Sequence, residues 1–373
     1  MEQKKAYILA FFFRRLIRPV LFQLDPEWVH DSTIKISETI GKADWVIRLL
    51  SRYYRIHDER LRVELGDLCF HNPIGLAAGF DKNGRATSLL SALGFGHIEV
   101  GSVSINSSKG NPRPRLFRLP KDEAIIVNYG VPNQGAKVVG ERLSHLCGQV
   151  PIGINIVETN TGLTSTSDQI IREYVEATRL LSANADYITL NLNCPNTSAG
   201  ESIFDTASVL KSLIEECEKI RDLPPIFLKL TAHSDGQRME RTLLAIEKCK
   251  SIRGFIFNIP PGKNYITETQ TSEVRSLPGT LCGPPTQSLM DAALAFWYKN
   301  VDRRRYVLIG SGGIRSSEDV YKKIRLGASV VQIYTTLVYR GPNVVRELNK
   351  GLLVLLERDG FTHVEQAVGV DNP

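Results

Sequence analysis

From Pro73 to Tyr334 the chain alternates short apolar runs, rich in β-branched residues, with longer stretches whose apolar residues recur every three or four positions. The short runs read as buried strands and the longer stretches as helices packed on one face. Eight strands are expected, over residues 74–78, 98–101, 152–156, 187–192, 226–230, 255–258, 307–310 and 330–334. Helical patterns over 167–182, 205–220, 239–250, 290–299 and 317–326 join several of them. Eight βα units in this length predict an α/β fold, a (β/α)8 TIM barrel, whose functional residues follow the C-terminal ends of the strands.

The first sixty residues do not share this pattern. Up to Leu24, Lys4, Lys5, Arg14, Arg15 and Arg18 interrupt an apolar stripe of Leu9, Phe12, Phe13, Leu16 and Val20 at helical spacing. The run is too broken to reach the roughly 20 apolar residues that span a bilayer, so an interfacial helix is expected. The alternative is a helix docked on its own domain. Asp25-Pro26-Glu27 supplies an N-cap, a first-turn proline and a first-turn acid for a second helix with Val29, Thr33, Ile36 and Ile40, ending at Gly41. A third helix is expected over 44–55, and a β-hairpin over 61–65 and 68–70 about Gly66-Asp67. The expected organisation is a helical extension over 1–60, a barrel over 61–361 and a tail over 362–373.

Composition narrows the function classes. Hydrophobic residues make up 42% and charged residues 23% of the 373, an ordinary folded chain with ample core. A net charge of +6 with no nucleic-acid-binding signature gives no reason to expect DNA or RNA as a partner. The cysteines at 69, 147, 194, 217, 249 and 282 form no C-x-x-C pair and no zinc spacing with histidine, so no metal site is expected. With no signal-peptide pattern they read as reduced thiols in the cytoplasm.

Candidate chemistry sits at the strand ends. Residues 187–190 empty into Asn191-Leu192-Asn193-Cys194-Pro195-Asn196-Thr197. Cys194 can take a proton when its pKa is lowered, and the three asparagines can orient a polar planar ligand without adding charge. The alternative is a buried structural cysteine beside turn-forming asparagines. Gly310-Ser311-Gly312-Gly313-Ile314 follows the seventh strand and Tyr334-Thr335-Thr336 the eighth, where backbone N–H groups of this fold commonly hold a phosphate. Lys229, on an otherwise apolar strand, must leave its ammonium unpaired at a cost or meet an anion: the N1–O2 edge of a reduced flavin, or an acid on a neighbouring strand.

Several stretches resemble dihydroorotate dehydrogenases of the membrane-associated, quinone-using class. They are Phe22-Gln23-Leu24-Asp25-Pro26-Glu27 with His30; Asn72-Pro73-Ile74-Gly75-Leu76-Ala77-Ala78-Gly79-Phe80-Asp81-Lys82; Pro112-Arg113-Pro114-Arg115-Leu116-Phe117-Arg118-Leu119; Gly153-Ile154-Asn155-Ile156; and residues 327–334. The resemblance implies an FMN site formed by Ala78, Gly79, Lys82, Ser102, Asn155, Asn191, Lys229, Gly283, Gly313, Tyr334 and Thr335. Asn258 stands where the family usually has threonine. It further implies oxidation of (S)-dihydroorotate to orotate in pyrimidine biosynthesis, with Cys194 as base and hydride transfer to FMN. Substrate contacts fall on Lys82, Asn191 and Asn196. The acceptor is a quinone reached through the N-terminal helices, and the protein is expected to lie peripherally on the cytoplasmic face of a membrane.

The departures from the family pattern lie on the substrate side. Cys194 replaces the serine usual in this class, and Val127 and Ile259 fall where the family has asparagines that grip the orotate ring. Val131 replaces a phenylalanine, Pro260 a threonine, Val157-Glu158-Thr159 a Gly-Lys-Asn, and His233 an aspartate. Two alternatives follow: a diverged family member acting on a less polar substrate, or a flavin-binding protein without turnover. A shift of one position, with Asn128 and Asn258 supplying the amides, restores the ordinary reading.

Overall fold

The computed structural model describes residues 11–145, 150–163, 165–194 and 202–372. Eight parallel strands close into a barrel in the order β3 (Ile74–Leu76), β4 (His97–Val103), β7 (Ile152–Ile156), β8 (Tyr187–Asn191), β9 (Ile226–Thr231), β10 (Ile252–Asn258), β12 (Val307–Ser311) and β13 (Ala328–Ile333), which pairs again with β3. These are the eight strands expected from the apolar runs. Their residues are buried on both faces, as strands enclosed by helices must be, which is why the runs are continuously apolar and do not alternate.

The N-terminal end of the barrel is closed by aromatic stacking. His97 is fully buried against the rings of Phe70 and Tyr187, and burial holds its pKa down at about 3, so it stays neutral. Gly75 and Gly153 make room for these rings: a Cβ at either position would come within 2.1 Å of the His97 or Tyr187 side chain. β1 (Val63–Leu65) and β2 (Leu68–Phe70) pair antiparallel as the expected hairpin, with Gly66 at positive φ in the turn.

A second sheet lies over the other end, and the apolar pattern gives no hint of it. β5 (Leu116–Leu119), β6 (Ala124–Val127) and β11 (Thr280–Cys282) pair antiparallel in the order β11-β6-β5 around a small core of Leu119, Ala124, Ile126, Val274 and Leu281. Val127 pairs with Leu116 on one side and Thr280 on the other.

The N-terminal extension folds as helices. Phe13–Ile17 winds as a π-helical turn that runs on into Arg18–Leu21. The Pro26–Gly41 helix is capped by Asp25, whose carboxylate accepts from the Trp28 N–H at 2.8 Å, worth about 1 kcal/mol. The Asp44–Tyr54 helix follows. Phe12, Leu16 and Val20 are exposed together as expected, while Phe13 turns inward against Gly341; Leu9 lies outside the described residues. Ile36, expected on the stripe with Val29 and Thr33, instead faces solvent, as do Trp28, Trp45 and Leu49. The segment after Phe361 packs back on the barrel: Val364 and Ala367 are buried, and the Asn372 side chain donates to the Ala295 carbonyl at 2.7 Å.

Candidate active site

The C-terminal ends of the barrel strands surround a cleft of about 1230 Å³, with β6 and β11 of the upper sheet as one wall. Its lining includes Ala78, Gly79, Lys82, Ser102, Asn191, Cys194, Lys229, Asn258, Gly283, Gly313, Tyr334 and Thr335. Twelve candidates from eight separate stretches of the sequence therefore meet in one place. Asn155 is set one layer deeper. It is fully buried beneath the cleft and does not reach the wall, because its carboxamide is turned to Ser102 and Glu99. Asn196 lies outside the described residues.

One chain of hydrogen bonds orders the polar floor. The Ser102 hydroxyl donates to the Asn155 carbonyl oxygen Oδ1 at 2.5 Å, and Asn191 Nδ2 donates to Ser102 Oγ at 3.3 Å. Asn258 Nδ2 donates to Asn191 Oδ1 at 2.7 Å and to the Asn193 carbonyl at 2.6 Å, while the buried Tyr174 hydroxyl donates to the Asn191 carbonyl at 2.6 Å. Side chains tied to one another in this way lose their rotamer freedom before any ligand arrives, which lowers the cost of binding a planar polar ring.

Beneath the floor lies a residue that sequence reading passed over. Glu99, fully buried on β4, accepts from Asn155 Nδ2 at 2.7 Å, Gln332 Nε2 at 2.8 Å and Thr189 Oγ1 at 3.2 Å. Lys229 Nζ lies 3.6 Å from its Oε1. Of the two anions that Lys229 was expected to meet, the neighbouring acid is therefore present, and the lysine also lines the cleft. The only sequence signal for Glu99 was an acid inside an apolar run. Cys282, also missed, lies in the wall near Lys229; burial pushes its thiol up to about 12, against the pull of that lysine.

The opposite end of the cleft is built on glycine. Gly312 and Gly313 both take positive φ, and a Cβ on Gly313 would lie 2.4–2.9 Å from Gln287 atoms, backbone nitrogen included. No other residue fits there, so the main chain itself forms the surface. A glycine-walled end, a floor of amides and hydroxyls, and a lysine at the base suit a phosphorylated planar heterocycle such as FMN. Among the described residues there is no cluster of three or more His, Cys, Asp or Glu side chains suited to a metal ion.

Where a substrate would lie, the wall is apolar. Val127 and Ile259 line the cleft with Val131 and Pro132. Val131 has φ of +49°, which a β-branched residue rarely adopts, in a turn begun by Gly130. Asn128 faces away and accepts from Asn111 Nδ2 at 3.1 Å, so the one-position shift is not realised there; Asn258 does reach the cleft.

Lys82 faces this wall and also touches the N-terminal helices. Its Nζ lies 4.0 Å from the centre of the Tyr129 ring and 3.1 Å from His30 Nε2. Burial lowers its pKa to about 8, against the pull of Asp31 and Glu27, and burial with the neighbouring Lys82 holds His30 well below its ordinary value. Glu27, on the same helix as His30, is buried with Arg115, which donates to it at 2.8 Å. Breaking such a buried pair costs about 3–5 kcal/mol, so the helix is held firmly to the cleft wall.

A second cavity, of about 1110 Å³, runs between the N-terminal helices and the barrel. Phe13, Phe22, Val29, Phe80, Leu337 and Val338 are among its mostly apolar walls, and Arg118 is the one charged side chain among the described residues lining it. The two cavities have only Ile125 and Tyr334 in common among those residues.

Comparison with known proteins agrees with this geometry. The family model described as dihydroorotate dehydrogenase matches residues 60–356. A protein of Natronomonas pharaonis named dihydroorotate dehydrogenase (quinone) is 37% identical over 364 residues, covering 96% of this chain and 99% of its own. Its namesake in Acidithiobacillus ferrooxidans is 37% identical, covering 95% and 98%. Among solved structures, DHODH from Eimeria tenella in complex with ferulenol superposes with a TM-score of 0.77 at 29% identity, covering 93% of this chain and 96% of that one.

Proposed function

The chain belongs to the dihydroorotate dehydrogenase family, and we propose that it oxidises dihydroorotate to orotate on a bound FMN and delivers the electrons to a quinone. The observation that carries this reading is the pair of cavities, one with a floor of amides and a lysine and one walled almost wholly by apolar groups, with Ile125 and Tyr334 lining both. A reaction with a polar donor and a lipid-soluble acceptor calls for two such chambers. The cofactor, when bound, supplies the hydride acceptor and the store of two electrons.

The protein's own groups supply the rest. Cys194, just after β8 in the cleft, takes the proton from the substrate carbon as a thiolate. The Lys82 ammonium provides the counter-charge for the substrate's carboxylate. Asn191 and Asn258, already fixed by one another, present oriented amides. Asn196 is proposed to join them in binding the substrate. Gly313, Tyr334 and Thr335 hold the phosphate end, and Val127, Ile259 and Val131 exclude water from the reacting edge.

The exposed Phe12, Leu16, Val20, Trp28, Trp45 and Leu49 support docking on a membrane surface, where a quinone would enter the apolar chamber. The contact proposed is peripheral; no helix among the described residues is long and apolar enough to cross a membrane. The thiols of Cys69, Cys217, Cys249 and Cys282, none of them in a disulfide, favour the cytoplasmic face.

One observation favours a second reading, in which the same chemistry serves a less polar ring: Val127 and Ile259 both face the cleft. Anaerobic mixing with dihydroorotate, while following the oxidised flavin band, decides between them. Fast bleaching supports the first reading. Protein that dithionite reduces but dihydroorotate does not would refute it and move the search to apolar dihydro compounds.

A further inference from the structure

Glu99 does not reach the cleft, yet it contacts the groups beneath it from four other strands. Asn155 comes from β7, Thr189 from β8, Lys229 from β9 and Gln332 from β13. Each Glu99 oxygen has an uncharged donor, Asn155 on Oε1 and Thr189 with Gln332 on Oε2. All of these partners are donors, so both oxygens of the acid are satisfied from the strands around it.

The distance to Lys229 is informative. A closed ammonium–carboxylate bond measures about 2.7–2.9 Å, and here the separation is 3.6 Å, with the lysine in the cleft wall. The pair shares charge across a gap while the ammonium still faces the cleft. With both groups present the local net charge is zero; without Glu99 it would be +1.

We propose that Glu99 is a positioning residue that sets, through Lys229, how strongly the cleft prefers the reduced cofactor over the oxidised one. Reduction adds two electrons and a single proton at N5, leaving negative charge on the N1–O2 edge. Lys229 attracts that charge and Glu99 repels it, so the acid limits the preference. The limit matters for turnover, because a site that holds reduced flavin too tightly would be slow to hand its electrons on. Glu99 also fixes the floor, through Asn155, Ser102 and Asn191, against collapse onto the lysine.

The inference rests on the cleft holding FMN. The test is the ratio of dissociation constants for oxidised and reduced FMN, read from the midpoint potential of the full-length holoprotein against reference dyes. Glu99→Gln is expected to raise the ratio at least tenfold in favour of reduced flavin, ~30 mV for a two-electron couple. Lys229→Gln should lower it at least tenfold, and the double variant should return near the wild-type value. Glu99→Asp, which keeps the charge, should stay within threefold.

A purely architectural acid would lower the affinity for both forms equally and leave the ratio unmoved. Should Glu99→Gln yield no flavoprotein, Glu99→Asp and Lys229→Gln carry the test: a threefold or smaller change in Lys229→Gln overturns the proposal. Wild-type protein without flavin absorbance would overturn the cofactor reading too, whereas flavin-bearing variants with an unchanged ratio overturn this inference alone.

Discussion

Lys82 Nζ lies 3.1 Å from His30 Nε2, so a side chain in the wall of the polar cleft is bonded to one in the wall of the apolar tunnel. His30 is held neutral by burial and by the lysine itself, which makes it an acceptor for the ammonium and not a competing cation.

Lys82 gives the site a pH limit. Its pKa in the folded protein is about 8, below its ordinary 10.5, so between those values the unfolded chain binds the extra proton. This group therefore favours folding increasingly as pH rises through that window, while the ammonium that would hold a carboxylate is lost. KM for dihydroorotate is expected to rise above pH 8 as stability holds. A KM that stays flat from pH 7 to 10 would remove Lys82 from the anion site.

Cys194→Ala should retain FMN and slow the reductive half-reaction by about 10²- to 10⁴-fold, the usual worth of a positioned base. Single-turnover bleaching of the flavin measures it directly. Rates equal to wild type would show that another group takes the proton.

Val127→Asn and Ile259→Asn each introduce an amide into the apolar wall. Each should improve kcat/KM for dihydroorotate by roughly tenfold or more, since a well-placed amide partner is worth about 1–3 kcal/mol in discrimination. A fall in both variants, measured with the same substrate, would place the ring edge elsewhere.

Val338 lines the tunnel and not the cleft. Val338→Trp should fill the acceptor chamber, raising KM for quinone at least tenfold while reduction of the flavin by substrate proceeds at its normal rate. If both half-reactions slowed together, the two chambers would not be functionally separate.

The barrel was legible because its strands are buried on both sides, which leaves unbroken apolar runs that no other element explains. The sheet of β5, β6 and β11 was not legible: its strands are three or four residues long, and Cys282 meets Ile125 only after the intervening barrel has closed. The cleft residues could be placed at strand ends from the fold alone. Glu99 could not, because a buried acid is defined by its partners, and Asn155, Thr189, Lys229 and Gln332 gather round it only when the strands come together. Asn155 sits at a strand end as expected, but strand alternation turns it to the floor beneath Ser102.

The partition formed by Ile125 and Tyr334 bears on how the protein could be blocked. If each chamber fills and empties on its own, as the Val338→Trp experiment tests, a compound lodged in one leaves the other open. An apolar inhibitor seated beside Phe22 and Val338 would be competitive toward the acceptor alone, and raising the concentration of the polar substrate would not relieve it.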